Sequence, residues 1–521
     1  MPADMVEVKV ADAPELNPSN TVSGELDKLG RQSSHYLLSL VGGLALGFIS
    51  FPIFTRMFSV ADYGLIDYVQ KILLVVVVFG KAGMQNSALR FYNREEFSAD
   101  PKAARRYYST MLFGVAGLGL LLTLSFPLLV RVLPISIADA SLVAILSFAS
   151  VLILLRSVQS ILWSFLRVQE RTKTYGIASF IIRAASIVVI LLLIKISGPS
   201  VKTYYAGTIV VEVGVVVALC FPLFRSGLIN PMNFDPPLFW TGVAFGAPLI
   251  VQELAGLVLD SGDRVMIRTY LGGNPLGLYS VAYGLASYVN TLLYTPIGLA
   301  IVPIYMRLWN SEGRKQTIEF LSYGLKVFLM AAGALFAIAA AASRDAVLLL
   351  ASSKYQGAEA LIPTLVAGLL IYTVQIFLSA GLLIKKRTLA MAVTLSVSAA
   401  LNIVLNYVLL PMMGLQGAAL ATLLSYLAGT VALAALAYRE LPLTIELRSV
   451  AVYVLGAIAA WAVPSLFELR APIWNLMVKP CCALLVYVSV LSVLDPGFRS
   501  IAGQLWRKLR KKSEGGDVPS V

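Results

Sequence analysis

Apolar residues along this chain are grouped into about fourteen stretches, each long enough to cross a lipid bilayer as a helix. Only short polar segments separate them, so no separate soluble domain fits between two stretches. The pattern predicts an all-α polytopic membrane protein with about 14 transmembrane helices. The predicted spans are 36–54, 65–88, 108–130, 140–163, 174–194, 204–221, 238–259, 278–305, 320–342, 360–384, 389–410, 415–438, 450–467 and 472–494.

Two of the helical units resemble each other at a distance of 213 residues. The identities lie at the ends of the second and the eighth spans, and duplicated halves are usual in transporters that rock around a central site. The sequence therefore predicts two six-helix lobes, followed by a helix pair that has no counterpart in the first lobe. The matched residues are Gly64 with Gly277, Leu65 with Leu278, Tyr92 with Tyr305, and Arg94 with Arg307.

The predicted domain boundaries follow from these spans and from the polar segments around them. A segment that contains Pro231, Pro236 and Pro237 is expected to link the lobes. The acidic start of the chain is expected to be disordered. The basic end is expected either to lie on the anionic inner leaflet or to act as a stop-transfer cluster. The units are the cytoplasmic arm 1–33, the first lobe 34–224, the cytoplasmic linker 225–237, the second lobe 238–440, the extra helix pair 441–495 and the basic cytoplasmic tail 496–521.

Composition supports the membrane assignment. Apolar residues make up 58% of the chain and charged residues 13%, whereas a soluble domain usually holds about 25% charged residues. The net charge of +13 is expected to report topology, so no nucleic-acid partner is predicted. The three cysteines and the single histidine form no ligand spacing, and neither a metal nor a cofactor is predicted.

Lysine and arginine residues are unevenly distributed between alternate loops. One side of the predicted membrane carries 26 of them and the other side carries 9, while the remaining 6 of the 41 lie within spans. Because cytoplasmic loops are enriched in these residues, the split predicts an even number of spans with both termini in the cytoplasm.

Charged residues inside the spans are the first candidates for function, because each costs about 2.5–3.5 kcal/mol at the centre of a bilayer. In the first half, the bases inside the spans, Lys71, Lys81, Arg156 and Arg183, outnumber the acids Asp67 and Glu212. A positively charged cavity would suit an anionic passenger such as a diphosphate. The alternative is that these bases reach an interface or pair with acids. The candidate residues for the anion are Lys81, Arg90, Arg156 and Arg183.

Three stripes of polar and aromatic residues recur at helical spacing. Aromatic rings with hydroxyl and amide groups suit sugar binding, so Tyr283, Asn290 and Tyr294 of the eighth span are candidates for substrate contact. Hydrogen bonding between helices is the alternative, and it is favoured for the stripe that begins at Ser398. The three stripes are Arg156, Ser160, Trp163 and Arg167; Tyr283, Ser287, Asn290 and Tyr294; and Ser398, Asn402 and Asn406.

Two carboxylates share one face of the seventh span. Glu253 and Asp260 lie seven residues apart, and Asp260 is expected to enter a polar segment near the outer surface. An acidic residue that faces a cavity can bind a coupling proton or cation. A local salt bridge of Asp260 or Asp263 with Arg264 is the alternative.

The chain resembles Wzx-type oligosaccharide flippases, which belong to the polysaccharide biosynthesis proteins of the multidrug/oligosaccharidyl-lipid/polysaccharide (MOP) exporter superfamily. The resemblance covers roughly residues 34–440. It implies two six-helix lobes around a central cavity in the bacterial inner membrane, and transport of polyprenyl-diphosphate-linked oligosaccharide repeat units for a cell-surface polysaccharide. It also implies partners from the same pathway, a polysaccharide polymerase and glycosyltransferases, and an extra helix pair that offers the lipid tail a groove. The motifs are Phe51-Pro52-Ile53-Phe54-Thr55-Arg56 with Asp62-Tyr63-Gly64-Leu65, Asp260-Ser261-Gly262-Asp263-Arg264 with Leu276-Gly277-Leu278-Tyr279, and Leu401-Asn402-Ile403-Val404-Leu405-Asn406 with Gly414-Leu415-Gln416-Gly417-Ala418-Ala419.

Two other functions remain open at this point. A cation-coupled multidrug exporter on the same scaffold would favour acidic residues in the first-half cavity, where only Asp67 and Glu212 are available. A membrane glycosyltransferase, polymerase or ligase would need an acidic catalytic cluster or a large outer loop, so no enzyme is predicted. The sequence also lacks a GxxxxGK[ST] phosphate loop, which argues against ATP hydrolysis by this chain.

Overall fold

The computed structural model describes residues 42–132, 140–469, 471–500 and 503. Thirteen helices in this part of the chain are long and apolar enough to cross a membrane, and a shorter apolar helix precedes them. The predicted arm 1–33, the beginning of the first predicted span and most of the basic tail lie outside the described residues. The fourteen helices are α1 (Gly42–Met57), α2 (Val60–Lys81), α3 (Pro101–Val132), α4 (Ala140–Val168), α5 (Thr172–Ser197), α6 (Val201–Arg225), α7 (Pro236–Leu271), α8 (Gly273–Ser311), α9 (Arg314–Ala351), α10 (Ile362–Ile384), α11 (Thr388–Met413), α12 (Leu415–Tyr438), α13 (Leu447–Ser465) and α14 (Pro472–Leu494).

Helix α2 has well-defined ends that the hydropathy pattern does not reveal. It begins after Ser59, whose side chain accepts a hydrogen bond from the Asp62 backbone N–H. It ends at Ala82 and Gly83, which both have left-handed backbone conformations. A separate short helix, Met84–Phe91, follows this turn. The predicted span 65–88 therefore corresponds to two helices.

The predicted loop after residue 259 was wrong, since α7 continues as a helix to Leu271. The segment from Asp260 to Arg264 lies inside this helix, and the side chains of Asp263 and Arg264 are buried. Hydropathy assigns such a charged segment to a loop, but ion pairs with the other half of the chain allow it to remain helical within the bundle.

The two halves, α1–α6 and α7–α12, meet closely where α2 packs against α8. A Cβ added to Gly64 would lie 2.5 Å from the backbone nitrogen of Gly277, and one added to Gly277 would lie 2.0 Å from the Val60 carbonyl oxygen. Gly64 and Gly277 are the residues matched by the 213-residue shift. The same shift relates Asp67 to Ser280, and the Ser280 hydroxyl donates to the Asp67 carboxylate at 2.8 Å. Residues that lie 213 positions apart thus contact each other across this helix pair.

Helix α7 contacts both halves. Near its start, Phe239 packs in a cluster with residues of α3 and α4, and the Ser87 hydroxyl donates to the Gly242 carbonyl oxygen at 2.6 Å. Gly246 lies against Gly83, where a Cβ on either residue would clash with the backbone of the other. Further along, Gly256 faces Leu395 of α11. Helix α7 therefore packs against the first half near its start and against the second half further along.

The last two helices pack on α9. The Tyr487 hydroxyl of α14 donates to the Met330 carbonyl oxygen at 2.9 Å, and a Cβ on Gly333 would meet this hydroxyl at 2.3 Å. Lys479 of α14 also lies 3.8 Å from the Asp345 carboxylate, and both side chains are buried. This pair accounts for a lysine that the sequence places inside an apolar span.

Candidate functional site between the halves

Three ion pairs join α2 of the first half to α7 of the second. The Lys71 ammonium lies 2.9 Å from the Asp260 carboxylate. The Lys81 ammonium pairs with Glu253, which also accepts a hydrogen bond from Gln85. The Arg264 guanidinium lies 3.0 Å from the Asp67 carboxylate. Opposite charges therefore line the two antiparallel helices in matching order.

We call the six residues of these three ion pairs the charged cluster. Arg264 is the most enclosed of the six, with 2% of its side chain exposed. Besides Asp67, it contacts the Asp263 carboxylate at 2.9 Å and the Asp260 carbonyl oxygen at 2.7 Å. Its guanidinium carbon also lies 4.1 Å from the ring centroid of Tyr283, which is a cation–π distance. These contacts satisfy most of its donors in a site that water scarcely reaches.

Arg156 forms a different pair, within the first half. Its Nε lies 3.0 Å from one Glu212 carboxylate oxygen, and Nη1 donates to the Gln70 side-chain oxygen at 3.1 Å. Both charged side chains are largely buried. For Lys71, Lys81 and Arg156, the structure thus shows pairing, the alternative to an open positive cavity.

The remaining anion candidates lie elsewhere. Arg183 of α5 is exposed and donates to the Gly43 carbonyl oxygen of α1 at 3.2 Å. Arg90 is also exposed, and its guanidinium lies 4.8 Å from the ring centroid of Phe245. Neither has an ion pair among the described residues.

The sequence contains a signal for the α2–α7 pairs that hydropathy alone does not use. A step of four residues from Asp67 to Lys71 matches a step of four residues back from Arg264 to Asp260. Two antiparallel helices with the same rise per residue bring such positions together. Because α2 and α7 are far apart in the chain, the signal becomes useful only once these two helices are known to be neighbours.

The tyrosine stripe of α8 is divided between two environments. The Tyr283 hydroxyl donates to the Asp260 carboxylate at 2.6 Å, so Tyr283 contacts the charged cluster. The Asn290 side-chain oxygen accepts a hydrogen bond from Thr373 at 2.7 Å. Tyr294, further along the helix, is half-exposed and borders a cavity.

This cavity lies among five helices of the second half and has a volume of about 240 Å³. Amides and hydroxyls make up most of its polar lining, and none of its lining residues is charged. We call it the second-half pocket. The residues that line it are Gln252, Tyr294, Tyr372, Gln375, Ile376, Ser379, Met391, Thr394, Leu395, Ser398 and Leu433.

The stripe that begins at Ser398 is mainly structural. Asn402 and Asn406 are buried, and the Asn406 amide donates to the Asn402 carbonyl oxygen at 2.9 Å. Ser398 bonds its own helix and packs against Gly429 of α12. Of this stripe, only Ser398 reaches the second-half pocket.

An apolar groove of about 270 Å³ lies between α9, α10 and α13. Phe328, Leu370 and Val454 are among its lining residues.

A more polar cavity, lined in part by Lys326 and Glu446, shares three lining residues with this apolar groove. Lys326 lies 2.8 Å from Glu446. Hydrogen bonds from Lys326 and Ser449 hold the pKa of the exposed Glu446 carboxyl below its usual range. The two cavities together form an amphipathic surface beside the extra helix pair.

Comparison with known proteins places the chain in a family. The sequence profile described as polysaccharide biosynthesis protein matches residues 29–309, more than half of the chain. The chain belongs to this family. No curated protein sequence matches it.

Solved structures of MOP transporters share the fold of this polysaccharide biosynthesis protein. The lipid II flippase MurJ, in an inward closed conformation, superposes with a TM-score of 0.67 at 15% identity, covering 90% of this chain and 99% of MurJ. An inward-facing multidrug resistance MATE family transporter superposes with a TM-score of 0.60 at 14% identity, covering 76% of this chain and 98% of the transporter. A MOP superfamily transporter from Pyrococcus furiosus superposes with a TM-score of 0.51 at 13% identity, covering 80% of this chain and 94% of that transporter. At these identities the likeness establishes the fold.

In this polysaccharide biosynthesis protein, two of the motifs quoted above meet at the charged cluster. The Tyr279 hydroxyl donates to the Asp263 carboxylate, which in turn pairs with Arg264. The Leu276-to-Tyr279 motif thus packs against the Asp260-to-Arg264 motif. Arg264 of the second motif and Ser280, the residue after the first, both donate hydrogen bonds to Asp67 of the first half.

Proposed function

We propose that this protein is a flippase that moves polyprenyl-diphosphate-linked oligosaccharide repeat units across the bacterial inner membrane for polysaccharide biosynthesis. The observation that carries the proposal is the row of ion pairs between α2 and α7. The bases lie at the contact between the halves, and the diphosphate of the lipid can replace their carboxylate partners when the halves separate. Family membership and the MOP fold support the same function.

The energetics of these pairs suit a transporter that alternates between two states. Breaking a buried ion pair by removing one partner costs about 3–5 kcal/mol. The cost is lower at the Lys71–Asp260 pair, because 21% of the Lys71 side chain and 40% of the Asp260 side chain are exposed. The Arg264–Asp67 pair, with 2% of the arginine side chain exposed, keeps the larger cost. Opening of the Lys71 and Lys81 pairs is therefore unfavourable in the absence of substrate but attainable. A diphosphate that binds Lys71 and Lys81 compensates for their lost partners.

Glu253 and Asp260, the proposed coupling residues, are the carboxylates that this exchange releases. When the lysines bind phosphate, Glu253 and Asp260 lose their counterions and take up protons or cations. Substrate binding is then linked to ion binding through the same pairs. On this account Lys81 belongs to the anion site, and Glu253 and Asp260 belong to the coupling site.

The apolar groove beside α13 offers a place for the polyprenyl tail. Its lining is apolar, while its neighbouring cavity contains Lys326 and Glu446. A tail that lies there keeps its hydrocarbon out of water while the polar head passes between the halves. The barrier to movement is the desolvation of that head, so no covalent chemistry is needed.

We further propose that both termini lie in the cytoplasm and that the partners are enzymes of the same pathway. Glycosyltransferases would assemble the repeat unit on the cytoplasmic face, and a polymerase would use it on the outer face. The concentration of lysine and arginine in alternate loops supports this orientation.

Reconstitution tests the proposal against the multidrug alternative. The purified protein is placed in vesicles with a labelled polyprenyl-diphosphate oligosaccharide, and exposure of the label on the opposite leaflet is followed over time. Efflux of a cationic dye is measured in parallel vesicles. We expect lipid movement without dye efflux. Dye efflux without lipid movement would reverse the assignment.

A further inference from the structure

The second-half pocket lies beside the charged cluster but differs from it in chemistry. Gln252 lines the pocket, whereas the next residue, Glu253, pairs with Lys81 of the first half. Adjacent residues of α7 therefore face an uncharged pocket and a charged contact. A ligand with one charged and one neutral polar part could occupy both places at once.

Several polar groups in the pocket are available to a ligand. In the part of the chain that the structure describes, the Tyr294 and Tyr372 hydroxyls and the Gln252 amide have no hydrogen-bond partner in the protein. The Gln375 amide nitrogen donates to Thr430 at 3.0 Å, which orients its side chain and leaves its oxygen to accept. Two aromatic rings and two amides thus converge on one cavity.

The lining selects a neutral ligand that carries hydroxyl groups. No carboxylate or base lines the pocket, so neither a cationic drug nor a phosphate finds a counterion there. Tyrosine rings provide apolar faces with polar edges, and amides both donate and accept. The volume of about 240 Å³ lies below the range of about 300–1,000 Å³ for drug-sized ligands, which suits a single sugar residue.

A chain of tyrosines connects this pocket to the ion pairs. The Tyr372 ring packs on Tyr426 with centroids 5.0 Å apart, and the Tyr426 hydroxyl lies 3.5 Å from that of Tyr283. Tyr283 donates to Asp260, the partner of Lys71. A ligand that displaces Tyr372 can therefore act on the α2–α7 contact through packed side chains.

We infer that the second-half pocket is the sugar subsite of the transporter, which holds one sugar residue of the oligosaccharide while the diphosphate binds at the α2–α7 contact. This inference rests on the proposed function. It assigns sugar recognition to Gln252, Tyr372 and Gln375 in addition to Tyr294. It also separates recognition of the sugar from that of the lipid diphosphate.

Two ligands test the subsite. Protein in lipid nanodiscs is titrated with lipid-linked oligosaccharides from membranes of the organism that encodes it, and separately with polyprenyl diphosphate that carries no sugar. We expect the wild type to bind the glycosylated lipid at least about tenfold more tightly, because a site built for hydroxyl groups discriminates against a ligand without them. Tyr372→Phe and Gln375→Leu should lower this preference to below about threefold and leave the affinity for the bare lipid unchanged.

A matched control and an independent readout accompany these variants. Tyr407→Phe removes a hydroxyl from an exposed tyrosine of α11 outside the pocket and should preserve the preference. In a variant whose three native cysteines are replaced by serine, Gln252→Cys should be protected from a thiol reagent by the glycosylated lipid and not by the bare lipid. This labelling does not depend on the folding of the other variants.

The outcomes separate this inference from the proposed function. If the wild type moves the glycosylated lipid in vesicles but the pocket variants keep its full preference, or Gln252→Cys is not protected, the subsite is refuted and the flippase stands. If the pocket variants weaken both lipids equally, sugar recognition at this pocket is also refuted. Failure of the wild type to move either lipid would refute the proposed function itself.

Discussion

Arg264 shows how a single buried charge is made acceptable inside the bundle. It contacts two carboxylates, a carbonyl oxygen and an aromatic face, and those groups come from α2, α7 and α8. A guanidinium suits this site because its donors are fixed in one plane and point in several directions. The residue therefore orients the three helices while its single charge is shared between Asp67 and Asp263.

Replacement of Arg264 should destabilise the protein strongly. Arg264→Met leaves Asp67 and Asp263 without their counterion, at a cost of about 3–5 kcal/mol. Arg264→Lys keeps the charge but loses hydrogen bonds to charged groups, each of which contributes about 1.5–3 kcal/mol. Thermal unfolding in detergent should show both losses, with methionine the worse. Arg225→Met, at the exposed end of α6, is the control, and an equal effect there would contradict the assignment.

Lys81 and Arg156 should respond differently to substitution, because one pair joins the halves and the other does not. Lys81→Ala leaves the partly exposed Glu253 and should reduce lipid movement at least about tenfold with little change in unfolding temperature. Arg156→Ala leaves the buried Glu212 uncompensated and should lower the unfolding temperature, which a second change, Glu212→Gln, restores. An equal change in unfolding temperature for Lys81→Ala and Arg156→Ala would disprove this distinction.

At the scale of the helices, the contact of α2 with α8 depends on glycine. Small residues allow helix backbones to approach closely in membranes. At Gly277 the nearest atom to an added Cβ is a backbone oxygen, which cannot move aside as a flexible side chain could. The observed conformation, in which the ends of α2 and α8 touch, therefore requires a residue without a side chain at position 277.

Gly277→Ala should disfavour the observed conformation. The added methyl group would lie 2.0 Å from the Val60 carbonyl oxygen, so α2 and α8 must separate at this end. We expect the rate of lipid movement to fall at least about tenfold and a cysteine placed at Ala61 to react faster with a thiol reagent. Gly117→Ala on α3 is the control, because nothing lies within 4 Å of its added Cβ. Unchanged labelling at residue 61 would show that the halves tolerate the methyl group.

Across the whole molecule, the sequence predicts the number and order of the spans well, because the bilayer sets a minimum length for every apolar helix. Gly64 and Gly277, which the 213-residue shift matches, also contact each other in the structure, although the shift by itself predicts only that the halves are related. The left-handed turn at Ala82 and Gly83 was not predicted, since it lies within an apolar stretch. The partners of Lys71 and Lys81 could not be predicted from composition, because they lie on a helix of the other half.

Alternation of the halves can be tested by linking them. Lys81→Cys with Glu253→Cys, in a background without native cysteines, places two thiols across the α2–α7 contact, and a cleavable thiol cross-linker joins them. If transport requires α2 and α7 to separate, the cross-linked protein should move lipid more slowly than the same double variant without the cross-link. Cleavage of the linker should restore the rate of the unlinked double variant. Arg156→Cys with Glu212→Cys is the matched control, because it replaces an ion pair within the first half and its cross-link should add no loss. Continued transport by the Lys81–Glu253 linked protein would mean that the halves move without opening this contact, and the diphosphate would then need another route past α7.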